Sequence, residues 1–285
     1  TVENLFTNVL RQSAVIGIVS VGMTLVITTR GFDLSVGSNI ALSSSIMALL
    51  LTESGATVIE GVAVALAIGA VIGATNGVLV AKIRVPPFIA TLGMLSIARG
   101  LALVFAGTTP VDLLPQSLLD VGRGKVGFLP LPVLFLAGTW LVAAYLVKHT
   151  RFGRYALAIG SNEEGARLSG VKVDSYRIAH YVVLGILTAA AGVVLTGRLG
   201  AAQATMAVGL EFQAIAAVVV GGTSLFGGEA KLAGSVGGAL LVGVLRNGLL
   251  LRSVDTNWIN IIIGAVMVAS VAFDGLRRIR MGRLS

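Results

Sequence analysis

The chain has no cysteine among its 285 residues. That excludes disulfides, zinc–thiolate sites and a cysteine nucleophile. Histidine is nearly as scarce: His149 and His180 lie far apart, and His149 sits in a basic cluster, so neither starts a metal or catalytic site. No Gly-x4-Gly-Lys-Ser/Thr run occurs, so the chain cannot hold ATP through a P-loop. No serine sits in a Gly-x-Ser-x-Gly turn with histidine and acid partners. Charge is the largest shortage. Only 12% of residues are charged and 55% are hydrophobic, with a mean hydropathy of +0.94, whereas a soluble domain carries about 25% charge. The net charge of +8 does not indicate nucleic acid, because the cations gather at the ends of apolar segments, as orientation signals do. Thr1 to Asn8 lacks a basic stretch leading into an apolar core, so no signal peptide is expected there.

What is present is a series of apolar runs, 37 glycines and a few polar interruptions. About 20 apolar residues cross the hydrocarbon core, and that rule predicts nine crossings: 9–29, 36–51, 58–81, 87–106, 130–148, 177–197, 210–227, 232–251 and 257–273. The second and seventh are short or interrupted. The densest basic stretches are the tail (Arg277, Arg278, Arg280, Arg283) and the loop from Lys148 to Arg177. Placing both in the cytoplasm puts 14 of the 21 cations inside and five outside, with Arg99 and Arg246 within segments. The C-terminus is then cytoplasmic and Thr1 external, which calls for one further helix upstream.

The first interruption is Gly31-Phe32-Asp33-Leu34-Ser35-Val36-Gly37-Ser38. Non-helical backbone at membrane depth must be buried in protein or line a cavity. Asp33 is expected to cap the next helix or to pair with Arg30, making the segment a helix break at the inner mouth of a path. The pattern Gly31-x-Asp33-Leu34-x-x-Gly37 recurs as Gly222-x-Ser224-Leu225-x-x-Gly228, taking in Thr223, and Asn76-Gly77 recurs as Asn247-Gly248. Paired interruptions of this kind point to a transport pathway. Thr91, Ser96 and Arg99 on one segment, Asn76 on another, and Glu211, Gln213 and Arg246 on later ones complete the polar candidates. Arg99 either serves the path or braces a neighbouring helix, and Glu211 is expected at an interface near a segment's outer end. Hydroxyls and amides with few buried charges suit a neutral polar solute better than an ion.

The longest polar stretch is a cytoplasmic loop at about 149–176. Within it, Asn162-Glu163-Glu164-Gly165-Ala166-Arg167-Leu168-Ser169-Gly170 predicts a short helix, capped by Ser161 or Asn162 and ended by Gly170. Such a helix suits docking to another protein, or else is a solvated connector.

Four blocks, in order, resemble the permease subunits of bacterial sugar ABC importers, the ribose type above all. They are Val21 to Ile27 leading into Gly31–Ser38, Pro87 to Met94 with Arg99-Gly100, Thr150 to Val171, and Glu211 to Gly228. The resemblance implies an all-helical type II importer fold, with about nine membrane segments here and one N-terminal helix missing, forming one permease domain over 1–285. It also implies a second permease subunit in a homodimer, a cytoplasmic ATP-binding cassette subunit and a periplasmic sugar-binding protein, in a bacterial inner membrane. No cofactor is implied, and ATP hydrolysis belongs to the partner. Asn162 to Gly170 matches the loop that meets the ATPase. Two departures stand out: Phe32 replaces the usual Ile, and Phe212-Gln213 replaces the common Leu-Asp, removing a carboxylate.

The leading expectation is therefore a permease for a monosaccharide, ribose or a similar pentose or hexose. Alternatives are a secondary transporter or channel for a small neutral solute, and an ABC permease for a nucleoside, inositol or a furanose-like signal molecule.

Overall fold

A computed structural model describes residues 8–280. Its elements in chain order are α1 (Leu10–Thr28), α2 (Val36–Glu53), α3 (Val58–Ala81), α4 (Pro87–Ala106), α5 (Gln116–Arg123), β1 (Lys125–Val126), β2 (Leu129–Pro130), α6 (Leu131–His149), α7 (Arg151–Ser161), α8 (Glu163–Leu168), α9 (Val173–Leu199), α10 (Leu210–Val220), α11 (Leu232–Leu251) and α12 (Thr256–Arg280). Seven of these helices are long and apolar enough to cross a membrane: α1, α2, α3, α4, α6, α9 and α11. The architecture is a polytopic all-α membrane bundle. The segment expected at 210–227 contracts to the 11-residue α10, and the apolar part of α12 runs only from Thr256 to Ala272. The tail cation Arg283 lies outside the described residues.

α1 is apolar on all sides, and every residue from Ser13 to Thr28 is buried. A helix of that kind belongs at the centre of a bundle. α9 lies beside it and beside α3, and close approach is achieved by small residues. Gly69, Gly73 and Gly77 recur every fourth residue on α3, and a Cβ on any of them would strike the backbone of α9 at Gly185, Tyr181 or Ile178. The outer helices α3, α4 and α6 expose Val71, Ile97, Val104, Leu141 and Val142. Such a surface is at home in lipid rather than water.

The 27-residue α9 serves as a ruler for depth, at about 1.5 Å per residue. At its Val173 end lie the basic loop with α7 and α8, the end of α1 and the start of α11. At its Leu199 end lie α5, the β1–β2 hairpin and residues 200–209. The stretch before α5 is joined to residues 200–209 at that end by the Val111–Ala202 bridge. Gly107–Leu129, expected as a loop, thus contains a short helix and a hairpin turning at Gly127.

Candidate coupling helix and helix breaks

The loop helix forms where its sequence predicts. Asn162 is the N-cap, its Oδ1 accepting the Gly165 amide at 2.9 Å. Glu163 and Glu164 occupy the first turn, where carboxylates favour the helix dipole. Ser169 follows the last residue, and Gly170 takes φ +82°, a left-handed conformation that glycine adopts readily. Ala166 turns inward against Ile159 and Val173. Leu168 points outward at 84% exposure, an apolar side chain offered to a partner.

Beneath α8 lies an ion network. Glu163 Oε2 accepts from Arg177 Nη2 at 2.8 Å, and its Oε1 from Arg167 at 3.2 Å and Arg84 at 3.5 Å. Asp174 Oδ1 accepts from the same Arg84 and Arg167, each at 3.3 Å. The Arg177 hydrogen bond, more than any other influence, holds the Glu163 carboxyl below its ordinary value. Arg177 itself is buried, and Nη2 also reaches the Thr29 carbonyl at 3.5 Å. One guanidinium therefore joins the coupling helix to the end of α1.

Arg30 makes the second connection. Its Nε donates to the Gly160 carbonyl at 2.7 Å and its Nη2 to that of Ser161 at 3.0 Å, both at the end of α7. Arg30 therefore does not pair with Asp33. The Gly160 α-carbon is pressed against the Thr28 carbonyl and the Gly228 amide, leaving no room for a Cβ. Gly228 N in turn donates to Thr28 O at 3.0 Å. The end of α1, which runs directly into Gly31–Ser38, and the Gly222–Gly228 region thus meet at one junction with the end of α7.

The two motifs also share local geometry. Asp33 Oδ1 accepts the amide of Ser35 at 2.8 Å, and Ser224 Oγ accepts the amide of Phe226 at 3.1 Å. In each, the third motif residue satisfies the amide two positions on, closing a tight turn. Leu34 and Leu225, the next motif positions, line one apolar cavity of about 540 Å³, together with Phe32, Phe212, Met267 and Val268. Both residues that depart from the sugar-permease pattern as aromatics, Phe32 and Phe212, therefore face the same space.

Asp33 is buried, and its second oxygen accepts from Asn76 Nδ2 at 3.2 Å. Ser35 Oγ donates to Asp33 at 2.6 Å and accepts from Asn76 at 2.9 Å, while Ser38 Oγ donates to the Ser35 carbonyl. Tyr181 OH donates to Phe32 O at 2.9 Å, which fixes the break about 12 Å along α9 from Val173. This node lies inside the bundle's loop half, with the charge closed off by an amide and a hydroxyl.

The other interrupted segment begins at residues 200–209, which run inward from the Leu199 end without helix. α10 then completes the passage from Leu210 to Val220. Arg99 braces this stretch, its Nη1 donating to the carbonyls of Ala204 (2.6 Å) and Met206 (2.9 Å). Glu211 is buried rather than interfacial, because the inward run carries it to the start of α2. A Cβ on Gly37 would lie 2.6 Å from Glu211 Oε2. Gly37 is therefore the close-approach point of the two half-crossing elements.

Other candidates fall outside this assembly. Thr91 is buried but returns its hydroxyl to Pro87 O within α4. Thr223 accepts the Lys231 amide and closes its own loop. Asn247 sits four residues from the far end of α11, away from Gly222, Thr223 and Ser224. Arg84, Arg177, Gly160 and Tyr181 were not singled out as site residues from sequence, and Arg30 was singled out only as a partner for Asp33. Arg177 carried little signal, since it stands at the start of the apolar run at 177–197 beside Asp174 and Ser175, where a cation reads as an orientation charge. His180 is buried and stacks on Phe152 at 3.9 Å, a packing role.

An apolar bundle with two broken segments and a surface helix wired to their junction defines a membrane transport permease. The chain belongs to the family described as branched-chain amino acid transport system / permease component, whose model matches residues 5–271. It is 44% identical over 283 residues to the ribose import permease protein RbsC of Escherichia coli (strain K12), covering 98% of this chain and 87% of that protein. It is 36% identical over 280 residues to the fructose import permease protein FrcC of Rhizobium meliloti, with 94% and 77% covered. Identity to the autoinducer 2 import system permease protein LsrC of Yersinia pseudotuberculosis serotype O:3 (strain YPIII) is 34% over 284 residues, with 98% and 79% covered. No solved structure matches it.

Proposed function

We propose that this chain is the membrane subunit of an ATP-driven importer that carries a monosaccharide, ribose or a similar pentose or hexose, into the cytoplasm. The loop end, with the C-terminus, faces the cytoplasm, and all nine segments cross the membrane, two of them in broken form. Two copies pair and enclose the path. An ATP-binding cassette subunit grips α8 and its flanks from Asn162 to Gly170, and a periplasmic sugar-binding protein delivers substrate at the other end. ATP-driven movement of α8 pulls on Thr29 through Arg177, while the end of α7 bears on Arg30. Both strain the Asp33–Ser35–Asn76 node and the adjoining Gly222–Gly228 turn. Phe32, Leu34 and Leu225 then shift at the face of the path.

The observation that carries this reading is the Glu163–Arg177–Thr29 connection, in a chain 44% identical to a ribose import permease protein. The test is uptake of labelled ribose into proteoliposomes holding this chain with its ATPase and binding protein. Uptake should require ATP. Arg177→Gln should leave ATP hydrolysis running while uptake falls by on the order of tenfold, the equivalent of ~1.4 kcal/mol of lost coupling. Uptake without the ATPase, driven by a proton or sodium gradient, overturns the proposal.

A further inference from the structure

At the Leu199 end, three arginines converge from three helices. Arg11 stands one residue into α1, Arg198 one residue before the end of α9, and Arg246 five residues before the end of α11. Arg198 lies close enough to both others to be repelled by each. Among the described residues none of the three forms an ion pair, and the Nε atoms of Arg11 and Arg246 are buried without a hydrogen-bond partner. Like charges held together beside apolar protein are costly without a counter-anion. A cavity of about 170 Å³ opens between Arg198 and Arg246, with Gln12 and Gln213 on its wall and Leu195 and Leu210 beside them. Gln213 is buried, and it sets a neutral amide where a carboxylate would have balanced the cluster.

We propose that this pocket binds the phosphate of an anionic phospholipid headgroup. Guanidinium groups match phosphate oxygens in planar, bidentate fashion, and two glutamines supply neutral donors. The depth fits as well. Arg11 and Arg198 stand one residue from their helix ends and Arg246 five residues inside its own, so the pocket reaches from just below into the layer where headgroups lie above a hydrocarbon core of about 30 Å. Leu195 and Leu210 offer apolar surface for the glycerol and upper chain. Basic pockets between membrane helices on the cytoplasmic side recognise lipid headgroups in this way, and the same chemistry applies at this end. A bound anion would tie α1, α9 and α11 together at the end opposite the coupling helix.

The test uses the full chain in a non-ionic detergent, read by thermal melting and by displacement of a fluorescent phosphatidylglycerol. Phosphatidylglycerol should raise the melting temperature saturably, and phosphatidylcholine should not. Inorganic phosphate should compete for the same site at higher concentration. Gln213→Asp places a carboxylate in the pocket, so it should weaken lipid binding on the order of tenfold and raise the melting temperature without lipid. Arg198→Gln/Arg246→Gln should abolish the lipid effect, and Arg252→Gln, a cation of the same end, should keep it. If the double variant does not fold, Gln213→Asp decides alone. Equal protection by both lipids overturns the proposal, as does undiminished binding to Gln213→Asp. Competition by inorganic phosphate without any lipid preference assigns the pocket to a free anion and overturns the lipid. Loss of binding-protein docking in these variants, with no lipid effect in the parent chain, assigns it to an acidic protein surface instead. The inference needs only that the helices cross a membrane, so sugar uptake can succeed or fail independently of it.

Discussion

At the scale of single residues, the junction beneath the coupling helix depends on atoms that are absent. Gly160 has backbone against it from both Thr28 and Gly228, so an added methyl must push three segments apart. Gly160→Ala should lower stability by about 1–3 kcal/mol, the range for overpacking a close contact. Gly138 has open space around its Cβ position, so Gly138→Ala should be neutral or stabilising by up to about 1 kcal/mol. Comparing the two melting temperatures separates a steric junction from a general intolerance of alanine. The Asp33 node gives a second pair. Asn76→Ala strips a donor from Asp33 Oδ2 and from Ser35 Oγ, leaving buried polar atoms bare at a cost of about 1–3 kcal/mol. Asp33→Asn keeps one carbonyl for the Ser35 amide, and its new amide nitrogen can donate to Asn76 Oδ1, which has no partner at present, once the Asn76 amide turns over. It should therefore melt above Asn76→Ala, slow uptake and leave sugar preference unchanged. A switch of preferred sugar would place Asp33 in the path itself.

At the scale of elements, α8 is held by a carboxylate shared among three arginines, and pH tests that arrangement. Glu163 has its value in the folded chain below the ordinary 4.5, with the Arg177 hydrogen bond as first cause. Its stabilising contribution is therefore complete above 4.5 and is lost as pH falls through the depressed folded value. Glu163→Gln should lower the melting temperature near neutrality, and its difference from the parent should shrink as pH drops below 4.5. A constant difference would mean that the charge does not matter. This helix was legible in the sequence because everything that forms it is local: the Asn162 cap, two acids in the first turn, Gly170 at the stop. The struts were not. Arg177 and Arg30 read as orientation charges, since nothing local says that one side chain reaches a carbonyl 148 positions away and the other a carbonyl 130 positions away. The same reason explains Glu211, whose burial follows from an inward run at 200–209 that hydropathy alone reads as an outer loop between the segments at 177–197 and 210–227. The repeat of Gly31–Gly37 at Gly222–Gly228 was visible as letters. Its meaning, two turns that satisfy the same amide and face one cavity, came from the third dimension.

At the scale of the whole molecule, one face stays unfilled. The cavity of about 540 Å³ takes Phe32 and Leu34 from one break, Leu225 from the other, Phe212 from α10, and Met267 and Val268 from α12. Phe212 and Val268 are 48% and 65% exposed. The same face therefore combines the elements that the coupling struts would move with the aromatic departures from the sugar-permease pattern. If two copies enclose the path, a closed two-fold pairing across this face brings each residue near its own counterpart or that of its neighbour. The absence of native cysteine makes the test clean. Val268→Cys and Phe212→Cys should each form disulfide-linked dimers in oxidised native membranes. Val104→Cys, on the lipid-exposed face of α4, should not. Cross-linking from Val268 should also fall when ATP is trapped on the assembled transporter, because movement of Phe32 and Leu34 repacks the face that Val268 shares. Equal cross-linking from Val104 and Val268 would show random collision in the membrane and remove this face from the path.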